Sequence, residues 1–430
     1  MSYDAIIIGG GHNGLACAAY LARAGRKVVV LERRHVLGGA AVTEEIYPGF
    51  KYSVCSYVVS LLRPQIIRDL KLPEHGLEIL PLECSFTPHL EGPGLVRWPE
   101  SARTRAEIAR YSKRDADLYP EFGREMMKMS RWVKPIIDMQ PPDPCSFDPR
   151  QLWELAKLGR FMRTLDDEGM ARLTKMMTMS AVDFLDEWFE SDILKAPMAV
   201  SGIIGTFLGV RSPGTAYVLL HHYMGEIDGA FRAWGLSKGG TGQISLSIAS
   251  AARSLGVEIR TEASVDHIIM KGGKARGVVL ENGDEIYAKT VVSSADPHRT
   301  FLGFVGEDHL ENDFVSEMKR YRYRGSSGKV NLALDRLPEF KCRPGAGLHL
   351  KGDIAIAPSI DYLERAYDEA KYGQYSKRPY INVVIPSLTD PTLAPPGKHV
   401  MSCFVQYAPY DLAGGPETWP QHRGAFGDTV

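Results

Sequence analysis

The 430-residue sequence predicts an α/β protein in which a Rossmann-like dinucleotide-binding domain is interrupted by an inserted α+β domain. Three features predict it. A wholly apolar run, Ala5–Ile8, leads directly into a glycine-rich turn, as a strand buried on both faces of a parallel sheet does. A helix-patterned stretch and a second apolar run, Lys27–Leu31, then complete a βαβ unit. Finally, a long middle region of helical spacing separates this unit from renewed strand-like runs that begin at Val257.

In the first unit, Gly9-Gly10-Gly11-His12-Asn13-Gly14 fits G-x-G-x-x-G. Gly9 permits a tight turn out of the strand, Gly11 lets backbone approach a pyrophosphate, and Gly14 lets the helix sit close to the sheet. From Leu15 to Ala24 the residues Leu15, Ala18, Ala19 and Leu21 share a helix face, and Gly25 sits where a C-terminal glycine belongs. The free N–H groups at the start of such a helix attract phosphate. Glu32, eighteen residues beyond Gly14, is placed to accept hydrogen bonds from a ribose diol. Arg33 and Arg34 are expected near the phosphates or solvent. Gly38-Gly39-Ala40 follows closely, and a loop of that composition closes around a permanently held cofactor, which favours FAD over a nicotinamide.

Composition bounds the rest. The length suggests two domains, and 44% hydrophobic with 24% charged residues is a globular balance. With 51 basic and 52 acidic side chains the net charge is −1, which gives no footprint for nucleic acid. Cys17, Cys55, Cys84, Cys145, Cys342 and Cys403 form no C-x-x-C pair and no metal-ligand cluster, so neither disulfide chemistry nor a metal is expected. No run approaches the roughly 18 to 20 apolar residues of a membrane span. The opening residues read directly as a strand, without a signal peptide or presequence, so the expected compartment is the cytoplasm of a bacterium.

Beyond the first unit, Pro73–Pro99 reads as short strands, Ser101–Asp138 and Leu152–Trp188 as helices, and Met139–Pro144 as a loop. Met170, Met176, Met177 and Met179 are read as helix core, with an apolar substrate lining or a membrane-touching face as the alternative. A second glycine-rich stretch, Trp234–Gln243, precedes a helix over Ile244–Leu255 and strands at Val257–Arg260, Ala263–Ile269 and Lys289–Pro297, with Asn282-Gly283 as a hairpin turn. Ile381–Ile385 and His399–Val405 are further strands. His221 and His222 are candidate bases and Arg63 a candidate partner for an acidic substrate or the cofactor, but a structural histidine pair and a surface charge at Arg63 are the favoured readings.

These residues resemble a known group. Gly9–Gly14, Glu32 and Gly38-Gly39, with Glu32–Glu45, Ser60–Gln65, Tyr217–His222 and Asp390–Gly397, are similar to the phytoene dehydrogenase-like FAD-dependent oxidoreductases, which share an FAD fingerprint with the amine oxidases. The resemblance runs along essentially the whole chain. It implies FAD as cofactor, hydride transfer from a C–H or C–N bond of an apolar small molecule, and a split FAD domain at 1–75 and 235–300 with a substrate domain at 76–234 and 301–430. Gly9, Gly11, His12, Asn13, Gly14, Glu32, Arg33, Gly38, Gly39 and Ala40 would then hold the cofactor, and Val265 would hold its adenine through backbone groups. Peripheral membrane contact and a protein partner are further expectations. For animal members the resemblance implies the mitochondrial matrix. It also implies a glycine-rich C-terminal segment against the isoalloxazine ring, which Gly424–Val430 does not contain, so a truncated chain or an incomplete cofactor site is expected. A flavin amine oxidase, or a non-catalytic regulator of the same fold, is the alternative.

Overall fold

Alternation along one strand organises the N-terminal half. In a computed structural model that describes residues 2–227, 230–231 and 234–430, β1 (Tyr3–Ile8) is buried on both faces. Ile7 points toward Leu15, Ala18, Ile244 and Ile248, while Ile6 and Ile8 point toward Val265, Ile268 and Val278. Helix therefore packs on one face of the sheet and antiparallel strands on the other. The helices are α1 (His12–Arg23) and, much later in the chain, one at Gly242–Ser254. Helix α1 starts three residues before the predicted Leu15, because the glycine turn itself delivers the chain in helical register. Gly25 does take a positive φ of 77° just past its end.

The sheet runs in the order β5-β2-β1-β8-β7-β6, from β2 (Val28–Leu31), β5 (Glu258–Arg260), β6 (Val265–Lys271), β7 (Lys274–Leu280) and β8 (Glu285–Ser293). Strands β5, β2, β1 and β8 are parallel, with Ile7 opposite Val30 on one side and Val292 on the other. β8 then turns antiparallel through β7 to β6, across the predicted Asn282-Gly283 hairpin.

A second six-stranded sheet uses β3 (Ser85–Thr87) and β4 (Leu95–Arg97), then β9 (Ser327–Leu334), β10 (Asp353–Ile356), β11 (Tyr380–Val384) and β12 (His399–Gln406), in the order β9-β12-β11-β10-β3-β4. Helices between Lys113 and Tyr223 bury Phe122, Met126, Phe184, Leu194 and Leu219 against this sheet's Ala355 and Tyr380 and against Tyr407 just past β12. The predicted helix over 101–138 is two helices, Ser101–Ile108 and α2 (Lys113–Asp138), because the Ser112 hydroxyl caps the second by accepting from Asp115 N–H at 3.1 Å. The methionine expectation needs correction. Met176 is fully buried and Met179 packs on the core, but Met170 and Met177 lie on the opposite, exposed side of their helix.

The two sheets meet at the second glycine-rich stretch. Asp390, almost fully buried, accepts from the Gly239 N–H at 2.6 Å and from Thr392 N–H and Oγ1. The adjoining turn is held to the hairpin of Thr43–Tyr47 and Phe50–Ser53, with Gly242 N–H donating to Thr43 Oγ1 at 2.9 Å and Thr241 N–H to Ser53 Oγ at 3.0 Å.

Candidate active site

Two loops converge at the C-terminal end of β1, the place where a parallel sheet offers a ligand crevice. Gly38 bridges to Gly11, and its N–H donates to the Gly10 carbonyl at 2.9 Å. Both Gly38 and Gly39 take positive φ, 133° and 58°. A Cβ on Gly14 would overlap the Gly9 carbonyl oxygen, so only glycine lets α1 approach β1 this closely. An added Cβ on Gly11 would sit in ordinary van der Waals contact with Gly39 Cα, 3.8 Å away, and one on Gly39 would lie 3.2 Å from Gly11 Cα, so the two loops run side by side.

Glu32 is only 8% exposed. One carboxylate oxygen accepts from Gly10 N–H at 2.7 Å and the other from Arg34 N–H at 2.9 Å, leaving further lone pairs on each. Glu32 thus ties the glycine turn to β2, a role its position in the motif does not announce. Arg34 continues into an ion pair with Glu44 at 2.7 Å, whereas Arg33 is exposed. Asn13 and Ala40 are exposed, and the Ala40 carbonyl accepts from Ser56 N–H at 3.1 Å. Val265 is buried opposite Leu280 at the start of β6, two residues after Ala263, whose N–H donates to the Glu32 carbonyl at 2.9 Å.

These residues fit an anionic dinucleotide. Gly11 is the N-cap of α1, with no side-chain cap and no acidic residue in the first turn, so the helix's N-terminal N–H groups are left for an anion. His12 Nδ1 beside them is buried without a hydrogen-bond partner. Among the described residues no group of His, Cys, Asp or Glu could hold a metal ion, and no helix is long and apolar enough to cross a membrane.

The histidine pair is split. His222 is buried, its Nδ1 lies 2.9 Å from the Val218 carbonyl, and its ring stacks on Trp234. Its neighbour His221 instead lines a cavity of about 110 Å³ with Ser60, Leu61, Arg63, Lys134 and Ile137. Burial pushes both imidazoles below the ordinary histidine range. His221 and Arg63 are therefore brought together, and His222 is a packing residue.

The titratable group that sequence reasoning missed is Lys329, on β9 opposite Phe404 of β12. Its Nζ is buried, has no hydrogen-bond partner and lies 3.9 Å from the centroid of the Tyr57 ring. Burial pushes the ammonium down to about 7. Tyr57 directly follows Ser56, whose N–H donates to the Ala40 carbonyl, so the segment that carries this ring is tied to the Gly38–Ala40 loop. The one available signal was a lysine at the head of the strand-like run Val330-Asn331-Leu332-Ala333-Leu334.

A model described as NAD(P)-binding Rossmann-like domain matches residues 7–70, and one described as flavin containing amine oxidoreductase matches residues 154–411. Pyridine nucleotide-disulfide oxidoreductase domain-containing protein 2 of Mus musculus is 40% identical, over 100% of this chain and 77% of its own length. The chain belongs to the flavin-containing amine oxidoreductase family. As a member it is an FAD-dependent oxidoreductase acting on a small molecule. One of the polypeptides of the limonene dehydrogenase of Castellaniella defragrans is 27% identical over 99% of this chain and 77% of its own length. The fold matches that of an oxidoreductase from Methanosarcina mazei, with a TM-score of 0.60 at 18% identity over 98% of this chain and 82% of that one.

Proposed function

We propose that this family member oxidises a C–H or C–N bond of an apolar small molecule, with Lys329 handling the proton that leaves with the hydride. The buried amine carries this reading. A lysine with its titration near neutrality is part neutral at physiological pH and accepts a proton without a large driving-force penalty. FAD, when bound, supplies the hydride acceptor. Gly9, Gly11, His12, Asn13, Gly14, Glu32, Arg33, Gly38, Gly39 and Ala40 would hold it, with Val265 at the adenine. The proposed FAD domain is 1–75 with 235–300, and the proposed substrate domain is 76–234 with 301–430. In support, the first sheet draws only on residues 3–31 and 258–293, and the second on 85–97 and 327–406. An apolar substrate is supported by the relative named for limonene, a hydrocarbon.

Peripheral contact with an anionic lipid surface belongs to the same reading. The helix α3 (Pro149–Met162) has no fully buried residue, and Phe147 and Trp153 are 92% and 63% exposed beside Arg150, Lys157, Arg160 and Arg163. The test of the main reading is anaerobic mixing of the FAD-loaded protein with a panel of terpenes and amines, followed by bleaching of the flavin absorbance. With a reducing substrate found, Lys329→Met should slow bleaching by roughly 10²- to 10⁴-fold. Bleaching at the wild-type rate would remove Lys329 from the chemistry.

A further inference from the structure

Lys329 has an unusual neighbourhood for a buried cation. Among the described residues no carboxylate pairs with it, and the groups coupled to it are Cys403 on its own sheet, Cys55 on the segment after the hairpin, and the Tyr57 ring. That ring is fixed from three sides. Phe404 stacks on it at 5.8 Å with planes 22° apart. Its hydroxyl donates to Asn382 Oδ1 at 2.8 Å, the Asn382 amide reaches Asp353 Oδ2 at 3.4 Å, and Ser85 Oγ donates to Asp353 Oδ1 at 2.6 Å. Asp353, the acidic group on this side, is thus two hydrogen bonds from the ring's hydroxyl. At the backbone, Ser56 ties the same segment to the Ala40 carbonyl.

We infer that Tyr57 is a positioning residue for Lys329, its ring face holding the ammonium form of that amine. This rests on the reading of Lys329 as the proton-handling group. Burial favours the neutral amine, while the negative face of an aromatic ring favours the cation. The ring, 3.9 Å from Nζ, opposes burial alongside Cys403 and Cys55, and its rigid mounting fixes the strength of its share. Because the mounting passes through Ser56 to Ala40, movement of the cofactor loop would move the ring and with it the proton affinity of Lys329. A tyrosine here therefore does more than fill space: it keeps the amine able to both take and release a proton near neutrality.

Replacing Tyr57 by leucine would open a cavity and admit water, so the test keeps the ring. Protein labelled with [¹³Cε]lysine is titrated by NMR, with the Lys329 signal assigned by Lys329→Arg. The series is wild type, Tyr57→Phe, and phenylalanine at 57 carrying one, two or three fluorines, each of which weakens the ring's negative face. The titration midpoint should stay close to wild type in Tyr57→Phe and then fall stepwise with fluorination, by about one pH unit in all. A midpoint that ignores the fluorine count would overturn the inference, because a purely structural ring is indifferent to it. A wild-type midpoint at the ordinary lysine value would instead refute the proton-handling reading, and the fluorine dependence would still decide the role of Tyr57.

Discussion

Replacing Lys329 with methionine should stabilise the protein, and by an amount that depends on pH. The folded state holds this lysine down to about 7, against 10.5 for an unburied one. Between those values the unfolded chain binds more protons than the folded one, so wild-type stability rises with pH across that window. Below it both states carry the charge, and the cost of burying it is fully present. Linkage gives a ceiling of about 3–4 kcal/mol between pH 7 and pH 10. Water reaching the half-buried stem lowers the expected figure to about 2–3 kcal/mol. Urea unfolding of wild type and Lys329→Met at several pH values measures it. The methionine variant should be the more stable one near pH 7, with the difference shrinking toward pH 10. Parallel stability curves over that range would refute the buried, unpaired amine.

Three further outcomes follow from the site. Gly14→Ala places a methyl against the Gly9 carbonyl, so it should lose about 1–3 kcal/mol of stability in denaturant titration and most of its FAD affinity. Glu32→Gln weakens charge-assisted bonds from Gly10 and Arg34 and should cost about 1.5–3 kcal/mol, read as a lowered unfolding midpoint with or without flavin. In vesicle sedimentation, Phe147→Ala with Trp153→Ala should weaken binding to anionic vesicles, and retention equal to wild type would exclude α3 as the contact.

The first βαβ unit was legible because several local rules agree there. The apolar run, the glycine turn and the helix spacing each point to the same geometry, and the structure places β1, α1 and β2 within a few residues of the reading. The hairpin at Asn282-Gly283 and the strands at 380–384 and 399–406 were legible for the same reason. What escaped depends on contacts distant in sequence. Lys329 reads as an ordinary polar residue in a strand, and only pairing with Phe404 and the return of Tyr57 make its amine buried. The backbone bonds to Glu32 were hidden too, since they require the turn to fold back onto the end of β2. Asp390–Gly397 stood out in the sequence as a motif without a role, and the structure supplies one: Asp390 pins the second glycine turn between the two sheets.

The central claim is that the Gly9–Gly14 turn and the Gly38–Ala40 loop hold FAD, and flavin binding tests it most directly. The purified 430-residue protein would be saturated with FAD, gel-filtered and scanned for bound flavin, in parallel with Gly14→Ala. Near-stoichiometric flavin in the wild type, lost in the variant, is the predicted result. Flavin retained equally by both proteins would contradict the assignment of the site to these two loops.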